Sequence, residues 1–516
     1  MTLCTRLRER DLRLAPLAAA LALACAGTTV DASAAAPPPT GLSVAMPASW
    51  KPGNGSGVAA LYQALRAVGV KPRSGIPAPT ATTPVTSCAD DNGSGTLRAV
   101  IAAAGESDTL DLSGLSCSVI TLTQGAIPVM LNDLSLSGAG AKALAIDGAG
   151  ADRVFVHYGY GTLTLAALTV RNGANRVSGY KVAGGACVLS GGFVTLDHST
   201  VSGCVASGEG AYGGGILASG VTMYTSTLSG NVALGSHPKT FTAAYGGGAF
   251  AYRGTAALYD STLSGNRVTF NATDTFGSYD TGGGLFVDNG GYALRSTIEG
   301  NYSFGTGGGI ASHAGFFVAD STISGNTAKA KAGGGMFVRL FDAMSVNNST
   351  IAHNTALKGG GIYLSGSPQA LTMQSTIVAG NTASTGADMA SMSVITISGA
   401  NNLVIAADAG ITVPADTLHV DPKLLPLANN GGPTRTHALS VGSPAVDAGN
   451  NAVNLATDQR GPGFARVLGA AADIGAYEGT QAPPAAIAVP VLSAWVLSLL
   501  AGLLGWSGLR KRKLLA

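Results

Sequence analysis

The sequence predicts an all-β protein folded as a parallel β-helix, a solenoid in which coils of short strands stack on one another. Three recurring features predict it: a run of glycines leading into an apolar residue, a Ser-Thr pair about fourteen residues later, and an asparagine soon after that pair. Residues 281–301, TGGGLFVDNGGYALRSTIEGN, contain all three. Self-similarity at a period of roughly 20 to 50 residues is typical of solenoids.

The serine of the Ser-Thr pair sets the period of the repeat. Successive serines are 27, 35, 35, 25, 28 and 26 residues apart. They are Ser199, Ser226, Ser261, Ser296, Ser321, Ser349 and Ser375. No Leu-x-x-Leu-x-Leu pattern persists, which excludes leucine-rich repeats, and glycine with β-branched residues fills the units, which excludes helical repeats. About 25 residues suffice for one coil of three short strands.

Equivalent residues of stacked coils lie above one another, so each recurring residue type has a predicted place. The glycines mark a corner where the backbone needs positive φ or where no side chain fits. The apolar residues after the glycines should fill the core: Ile216, Leu285, Ile310, Met336 and Ile362. The asparagines should form an amide ladder: Asn231, Asn266, Asn301, Asn326, Asn354 and Asn381. Cys204 stands where this ladder expects an asparagine.

The two ends of the chain predict export. Residues 1–34 have a basic start, an apolar run too short to span a membrane and a small-residue cleavage site, as in a secretory signal peptide. Lipidation at Cys25 is the alternative. Residues 487–513 combine an apolar stretch with a basic end, which predicts a C-terminal transmembrane helix whose end is cytoplasmic.

Between these ends the chain divides into four parts. Residues 35–87 predict a low-complexity spacer. Residues 88–118 predict an N-terminal cap with a short helix within 96–105, where apolar residues recur at helical spacing. Residues 119–420 predict the β-helix, and residues 421–479 a closing segment.

Four cysteines remain after removal of the signal peptide. An even number in an oxidising compartment suggests two disulfides, for which three pairings are possible. Local pairing favours Cys88 with Cys117 and Cys187 with Cys204. No C-x-x-C occurs, which leaves zinc binding and thioredoxin-like chemistry without support.

Segments at both ends of the repeat resemble a known group. CADDNGSGTLRAVIAAAGESDTLDLSGLSCSVITL (88–122) is similar to the opening of bacterial exported right-handed β-helix proteins. DPKLLPLANNGGPTRTHALSVGSPAVDAGN (421–450), TDQRG (457–461) and DIGAYE (473–478) resemble the closing segment of choice-of-anchor Q domain proteins. The glycine and Ser-Gly-Asn elements are also similar to repeats of chlamydial polymorphic outer-membrane proteins. The resemblance implies a right-handed β-helix and no defined catalytic activity.

The C-terminal tail resembles the IPTL-CTERM sorting signal of Gram-negative bacteria. The motif residues are Val489, Pro490, Leu492, Ser493 and Trp495. Val489, Val491 and Ala494 depart from the usual Ile, Thr and Glu. The resemblance implies transient membrane anchoring and processing by a sorting protease for attachment at the cell surface or outer membrane.

Charge and side-chain chemistry favour a surface structural or adhesive protein over an enzyme. The net charge of +2 gives no reason to expect nucleic acid as a partner, and no motif implies a metal or cofactor. The alternative is a polysaccharide-acting enzyme, a lyase or a glycoside hydrolase. Such enzymes need clustered acids, for which Asp274, Asp280 and Asp288 near Glu299 are the best candidates.

Two further charged groups favour structural interpretations. Asp260, Arg295 and Asp320 each precede a Ser-Thr pair, so we expect a ladder of alternating charge on the surface. In the closing segment we expect internal ion pairs among Asp458, Arg460, Asp473 and Glu478.

Two repeats are longer than the rest and predict a binding face. Their extra residues, within 232–245 and 267–281, follow the ladder asparagine in successive coils, so they should project side by side. Aromatic and acidic residues there would suit a surface glycan or a protein ligand. The candidate binding residues are Phe241, Tyr245, Phe270, Asp274, Phe276 and Tyr279. The alternative is that the insertions fold back and cover the helix.

Overall fold

The computed structural model describes residues 81–178, 182–208, 210–235, 244–270, 281–339, 343–366, 371–452 and 454–479. Within these ranges three long parallel sheets of 10, 13 and 11 strands form the walls of a β-helix. We call them sheets A, B and C, in the order in which the chain passes through them after each run of glycines. Two shorter sheets, D with 7 strands and E with 3, complete the coils between sheets C and A.

The strands are short and each pairs in parallel with its equivalent in the neighbouring coil. Sheet A comprises Ile127–Val129, Phe155–His157, Val188–Ser190, Ile216–Ala218, Ala249–Ala251, Leu285–Val287, Ile310–Ser312, Met336–Arg339, Ile362–Ser365 and Met389–Ser391. Sheet B comprises Thr82–Pro84, Thr109–Asp111, Leu134–Ser137, Thr162–Ala166, Phe193–Asp197, Gly220–Tyr224, Ala256–Tyr259, Gly291–Leu294, Phe316–Ala319, Met344–Asn347, Leu371–Gln374, Ile395–Ala400 and Ile411–Thr412. Sheet B therefore begins within the predicted spacer.

The remaining sheets follow the same stacking. Sheet C comprises Val119–Thr121, Ala145–Asp147, Thr169–Arg171, Thr200–Ser202, Thr227–Ser229, Thr262–Ser264, Thr297–Glu299, Thr322–Ser324, Thr350–Ala352, Ile377–Ala379 and Leu403–Val404. Sheet D comprises Ala174–Arg176, Val205–Gly208, Val232–Gly235, Arg267–Phe270, Tyr302–Ser303, Thr327–Ala332 and Thr355–Lys358. Sheet E comprises Val182–Gly184, Gly210–Tyr212 and Ala244–Tyr245.

One helix, α1 (Leu97–Ala103), lies in the segment where the sequence predicts it. The Thr96 side chain caps its N-terminus by accepting a hydrogen bond from the Ala99 amide. Leu97, Val100 and Ile101 are buried in the same core cluster as the first strands. The helix thus covers the apolar interior at the N-terminal end of the stack.

The glycine corners and the core residues after them are confirmed. Gly282 has a φ of +62°, and a Cβ on Gly283 would lie 2.2 Å from the carbonyl oxygen of Gly308 in the next coil. Side chains are therefore excluded at this corner by both conformation and space. The five apolar residues predicted to follow the glycines are all buried in the core.

The asparagine ladder is confirmed in every predicted coil. The backbone N–H and Nδ2 of Asn231 both donate to Oδ1 of Asn266, at 3.1 and 2.9 Å, and the same pair of bonds repeats coil by coil. At the N-terminal end the Cys204 amide donates to Oδ1 of Asn231. At the other end Oδ1 of Asp388 accepts from Asn381 at 2.9 Å. The ladder is thus bonded at both ends as well as along its length.

The serines that set the period stack in one row, with one exception. From Ser199 to Ser321 the backbone N–H of each serine donates to the serine hydroxyl of the next coil. In the last predicted repeat, Val378 aligns with Ile351, which places Thr376 rather than Ser375 in the row. Ser375 instead takes the left-handed position before it, with a φ of +46°. The register between neighbouring coils is therefore set by the apolar residue that points into the core, and not by the position of the Ser-Thr pair in the sequence.

Both predicted disulfides are present. Cys88 is bonded to Cys117 and Cys187 to Cys204, with Cα separations of 6.2 and 5.6 Å. No helix within the described residues is both long and apolar enough to cross a membrane. The predicted signal peptide, the sorting motif and the segment 487–513 lie outside the described residues.

Candidate functional site

The two insertions leave and rejoin the stack at adjacent points. The strands that precede them, Val232–Gly235 and Arg267–Phe270, pair in register, with Gly235 opposite Phe270. Where the chain returns, the Gly246 amide donates to the Thr281 carbonyl at 2.8 Å. The insertions 236–243 and 271–280 therefore start from one edge of the solenoid, in neighbouring coils. We call this edge the insertion edge.

Two of the six predicted binding residues lie at the base of this edge. Tyr245 stacks on Tyr212 and contacts Phe286, with ring centroids 5.4 and 4.6 Å apart. Phe270 packs edge-on against Phe304 at 5.8 Å. Both rings are half-buried, and these contacts pack part of their surface against the wall of the solenoid. Phe241, Asp274, Phe276 and Tyr279 lie outside the described residues.

The base of the insertion edge adjoins an aromatic cluster that the sequence analysis missed. Phe250, Phe286 and Phe337 are each the second residue of a sheet A strand, and the residues on both sides of each point into the core. They nevertheless are buried, and Phe250 meets Phe286 at 5.0 Å. The signal was available: an aromatic residue comes second after the glycines in several repeats. Tyr245 contacts both Phe250 and Phe286, so the cluster packs directly against the base of the insertion edge.

A second feature is the closing segment, residues 421–479, which lies along the outer face of sheet C. The Thr297 hydroxyl donates to the Arg435 carbonyl and the Thr322 hydroxyl to Oε1 of Gln459, both at 2.6 Å. The Thr350 hydroxyl accepts from the Ala476 amide at 3.1 Å. Three threonines in successive coils are thus each bonded to a different part of this segment.

The predicted ladder residues Asp260, Arg295 and Asp320 do not form a surface ladder: the side chains of Arg295 and Asp260 are only 13% and 12% exposed, and Asp320 is buried. Arg295 pairs with Asp260 through two bonds of 2.7 and 2.8 Å, as the stacking predicted. Asp320 is 1% exposed, and its nearest cation is Arg466, at 3.9 Å. The prediction of a surface position is wrong because the closing segment covers these coils. Burial raises the pKa of Asp320 to about 7, and Arg466 and Arg295 oppose that shift.

Of the ion pairs predicted within the closing segment, the pair between Arg460 and Asp458 is confirmed, whereas the partner of Glu478 is an arginine outside the predicted group. Arg460 pairs with Asp458 at 2.6 Å and donates to the Glu478 carbonyl. The Glu478 carboxylate lies 3.6 Å from Arg466 and accepts from the Asp473 amide. Burial raises the pKa of Glu478 to about 7. No sequence pattern pointed to Arg466, which is fully buried and links Asp320 of the solenoid to Glu478 of the closing segment.

A groove of about 700 Å³ opens between the closing segment and the corner after sheet C. The hydroxyl of Ser324 lies 2.8 Å from Nε2 of His437, whose Nδ1 lies 2.7 Å from the Leu425 carbonyl oxygen. The carbonyl requires a proton on Nδ1, so Nε2 of a neutral ring accepts from the serine. Burial lowers the pKa of His437, which favours that neutral ring. The pair joins the closing segment to sheet C.

Arg435 and Glu299 of this groove are paired with each other, and its two histidines are in ring contact. Arg435 donates to Glu299 at 2.8 Å, and His353 lies edge-on to His437 at 5.2 Å. Glu299 is the one carboxylate among the described residues that line the groove. Hydrolysis of a glycosidic bond by paired acids needs two carboxyl groups.

The predicted acid cluster of Asp274, Asp280 and Asp288 near Glu299 is only partly described. Asp288 lies 3.2 Å from Nδ1 of His313, and Asp274 and Asp280 lie outside the described residues. Among the residues that the structure describes, no group of three or more His, Cys, Asp or Glu side chains could hold a metal ion.

Comparison with known proteins supports the fold. A family model described as a right handed beta helix region matches residues 253–420, about a third of the chain, and confirms the predicted right-handed β-helix. No curated protein matches the sequence. Among solved structures, the crystal structure of pectate lyase Pel9A is similar over 78% of this chain and 97% of that chain, at 13% identity and a TM-score of 0.40. A similarity at this level gives no argument about function.

Proposed function

We propose that this chain is an exported β-helix protein of a Gram-negative cell surface, with an adhesive or structural role and the insertion edge as its binding face. The observation behind the proposal is the pairing of Val232–Gly235 with Arg267–Phe270, because it brings both insertions to one edge. Insertions on one face of a solenoid are a common place for partner binding. The two disulfides support export, since disulfides persist in oxidising compartments.

Anchoring is the second part of the proposal. The segment 487–513 holds the exported chain in the membrane, and a sorting protease cleaves near the motif at 489–495, as the resemblance to choice-of-anchor Q and IPTL-CTERM proteins implies. Mass spectrometry of protein recovered from the cell surface should find peptides that end before Val496. Recovery of the intact RKRKLLA end would show a permanent anchor instead.

Trimming the insertions tests the binding face. Replacing residues 236–243 and 271–280 by the short connection of the 25-residue repeat leaves the ladder asparagines and the core untouched. We expect the circular dichroism spectrum and thermal midpoint to stay close to those of the intact protein, while attachment to a target surface or glycan array falls. A variant with only one insertion trimmed should be intermediate. Full attachment by the folded double variant would place binding elsewhere.

The second candidate is a polysaccharide-acting enzyme. The groove beside Arg435 and Glu299 favours it, because its volume would admit a sugar chain and it joins a cation to a carboxylate. Incubating the exported region with acidic glycans and separating the products decides between the two. Cleavage products that disappear in Glu299→Gln would establish the enzyme and leave the insertion edge as a secondary feature.

A further inference from the structure

The outer face of sheet C consists of two regular rows of side chains. The first row contains threonines in register from coil to coil: Thr200, Thr227, Thr262, Thr297, Thr322 and Thr350. The second row lies two residues further along each strand and contains Ser202, Ser229, Ser264, Glu299 and Ser324. Alternate residues of a strand share a face, and here the residues between them fill the core.

The closing segment covers and hydrogen-bonds only the C-terminal half of these rows. Thr297, Thr322 and Thr350 are at most 1% exposed, and all three are hydrogen-bonded to it. In the other half, three threonines and three serines are half-exposed, and no side-chain hydrogen bond joins their hydroxyls to the described part of the chain. We call this half the open strip: Thr200, Thr227, Thr262, Ser202, Ser229 and Ser264.

The open strip continues the closing-segment interface without a break. Antiparallel bridges join Leu424 to Leu439 and Ala428 to Thr436, so residues 424–439 form a hairpin. Its Arg435 carbonyl meets Thr297, and two residues later its His437 meets Ser324 in the next coil. One extended pass of polypeptide therefore bonds to successive coils. Ser264, the adjoining member of the open strip, already lines the groove beside this hairpin.

We infer that the open strip docks an extended peptide segment of a partner protein, which hydrogen-bonds to Thr200, Thr227 and Thr262 as this chain's closing segment does to the threonines beyond them. We assign a peptide to the open strip because the adjoining part of the same face, with its threonines in the same register, already binds an extended polypeptide, the closing segment. A second groove, of about 470 Å³, lies at the N-terminal end of the strip, lined by Asp147, Asn172 and Arg176, and gives the segment room for a side chain. This face is separate from the insertion edge.

The test uses the full exported chain and a fluorescently labelled peptide with the sequence of residues 424–439. Anisotropy titration should show saturable binding, weakened on the order of 100-fold by the triple variant T200V/T227V/T262V, because each lost hydroxyl removes a hydrogen bond worth about fivefold in affinity. Valine keeps the β-branched shape that suits the strand. The matched control is T164V/T195V/T222V, three threonines that are register partners in sheet B. It should bind as the unmodified chain does.

Hydrogen exchange provides a measurement that needs no variant. Adding the peptide should slow amide exchange in Thr200–Ser202, Thr227–Ser229 and Thr262–Ser264 and leave sheet B unchanged. Three outcomes would overturn the inference: no saturable binding, equal weakening by both triple variants, or protection elsewhere. If the peptide does not bind but glycan fragments do, and their binding is lost in T200V/T227V/T262V, the open strip binds a sugar. That result would also overturn the inference.

Discussion

The N-terminal and C-terminal coils of this solenoid have the same interior and different exteriors. In the N-terminal coils two disulfides cross-link the chain, and the outer face of sheet C stays half-exposed. In the C-terminal coils, for which the structure describes no disulfide, the closing segment covers that face with threonine bonds and a buried charge network. The repeat therefore determines what faces inward, while a segment outside the repeat determines what the outer face becomes.

The contrast predicts that equal changes will have unequal effects in the two halves. The largest should come from Arg466→Ala, which leaves Asp320 and Glu478 buried without their cation. Removing one partner of a buried ion pair costs about 3–5 kcal/mol. The expected result is a loss of unfolding free energy of that size and faster amide exchange in Thr297–Glu299 and Thr322–Ser324.

Its matched control is Arg171→Ala in the open half. Arg171 pairs with Asp147 at 2.7 Å but its side chain is 39% exposed, so the loss should stay below about 1 kcal/mol. Equal destabilisation by the two variants would show that burial at the closing segment does not strengthen the ion pairs of Arg466.

The second prediction concerns the cross-link in the N-terminal half. In Cys187→Ala/Cys204→Ala the disulfide is lost, and closing a loop of about this length is worth roughly 3 kcal/mol. In Cys187→Ala/Cys204→Asn the bond is also lost, but the new amide can extend the ladder above Asn231. Denaturant titration should place the second variant between the first and the unmodified protein. If the asparagine variant is the less stable of the two, the ladder does not tolerate another member at position 204.

The third prediction follows from Asp320. Because its folded pKa of about 7 lies above the ordinary value of 3.8, the folded protein binds more protons than the unfolded chain between these values. Its contribution to stability therefore falls as the pH rises from about 4 to about 7. Asp320→Asn removes this titration, so raising the pH from 5 to 8 should destabilise the variant less than the unmodified protein.

Other groups titrate in both proteins, so their contributions to the pH dependence of stability cancel when the variant is compared with the unmodified protein. Burial also raises the pKa of Glu478 and lowers the pKa of His437 and His157, and the histidines act in the opposite direction below their ordinary values near 6.5. Denaturant midpoints at both pH values measure the difference. The same pH response in Asp320→Asn would mean that Asp320 is not the group that titrates.

The repeat was predictable because stacking turns sequence spacing directly into position. The glycine corners, the core residues and the asparagine ladder follow from it, whereas the two disulfides were predicted from the short sequence separation of each cysteine pair. Ser375 was misplaced because two adjacent hydroxyl residues fit the same pattern, and only the alignment of Val378 with Ile351 decides between them. The position of the closing segment was not predictable. This segment contains no repeat, so its sequence gives no spacing from which its alignment with the coils could be inferred. For that reason the sequence predicted neither the burial of Asp320 nor the ion pairs that Arg466 makes with Asp320 and Glu478.

The smallest predicted effect compares two threonines of one row. Thr322→Val removes the donor to Oε1 of Gln459, and both residues are fully buried, so that oxygen is left without its partner. An unpaired buried acceptor costs about 1–3 kcal/mol. Thr227→Val, at the equivalent position of the open strip, removes a half-exposed hydroxyl and should change stability by about 0.5 kcal/mol or less. Urea unfolding of both variants, each against the unmodified protein, measures the difference. Equal losses would mean that the threonine row stabilises the coils from within their own strands, and the closing segment would then cover sheet C without depending on those hydroxyls.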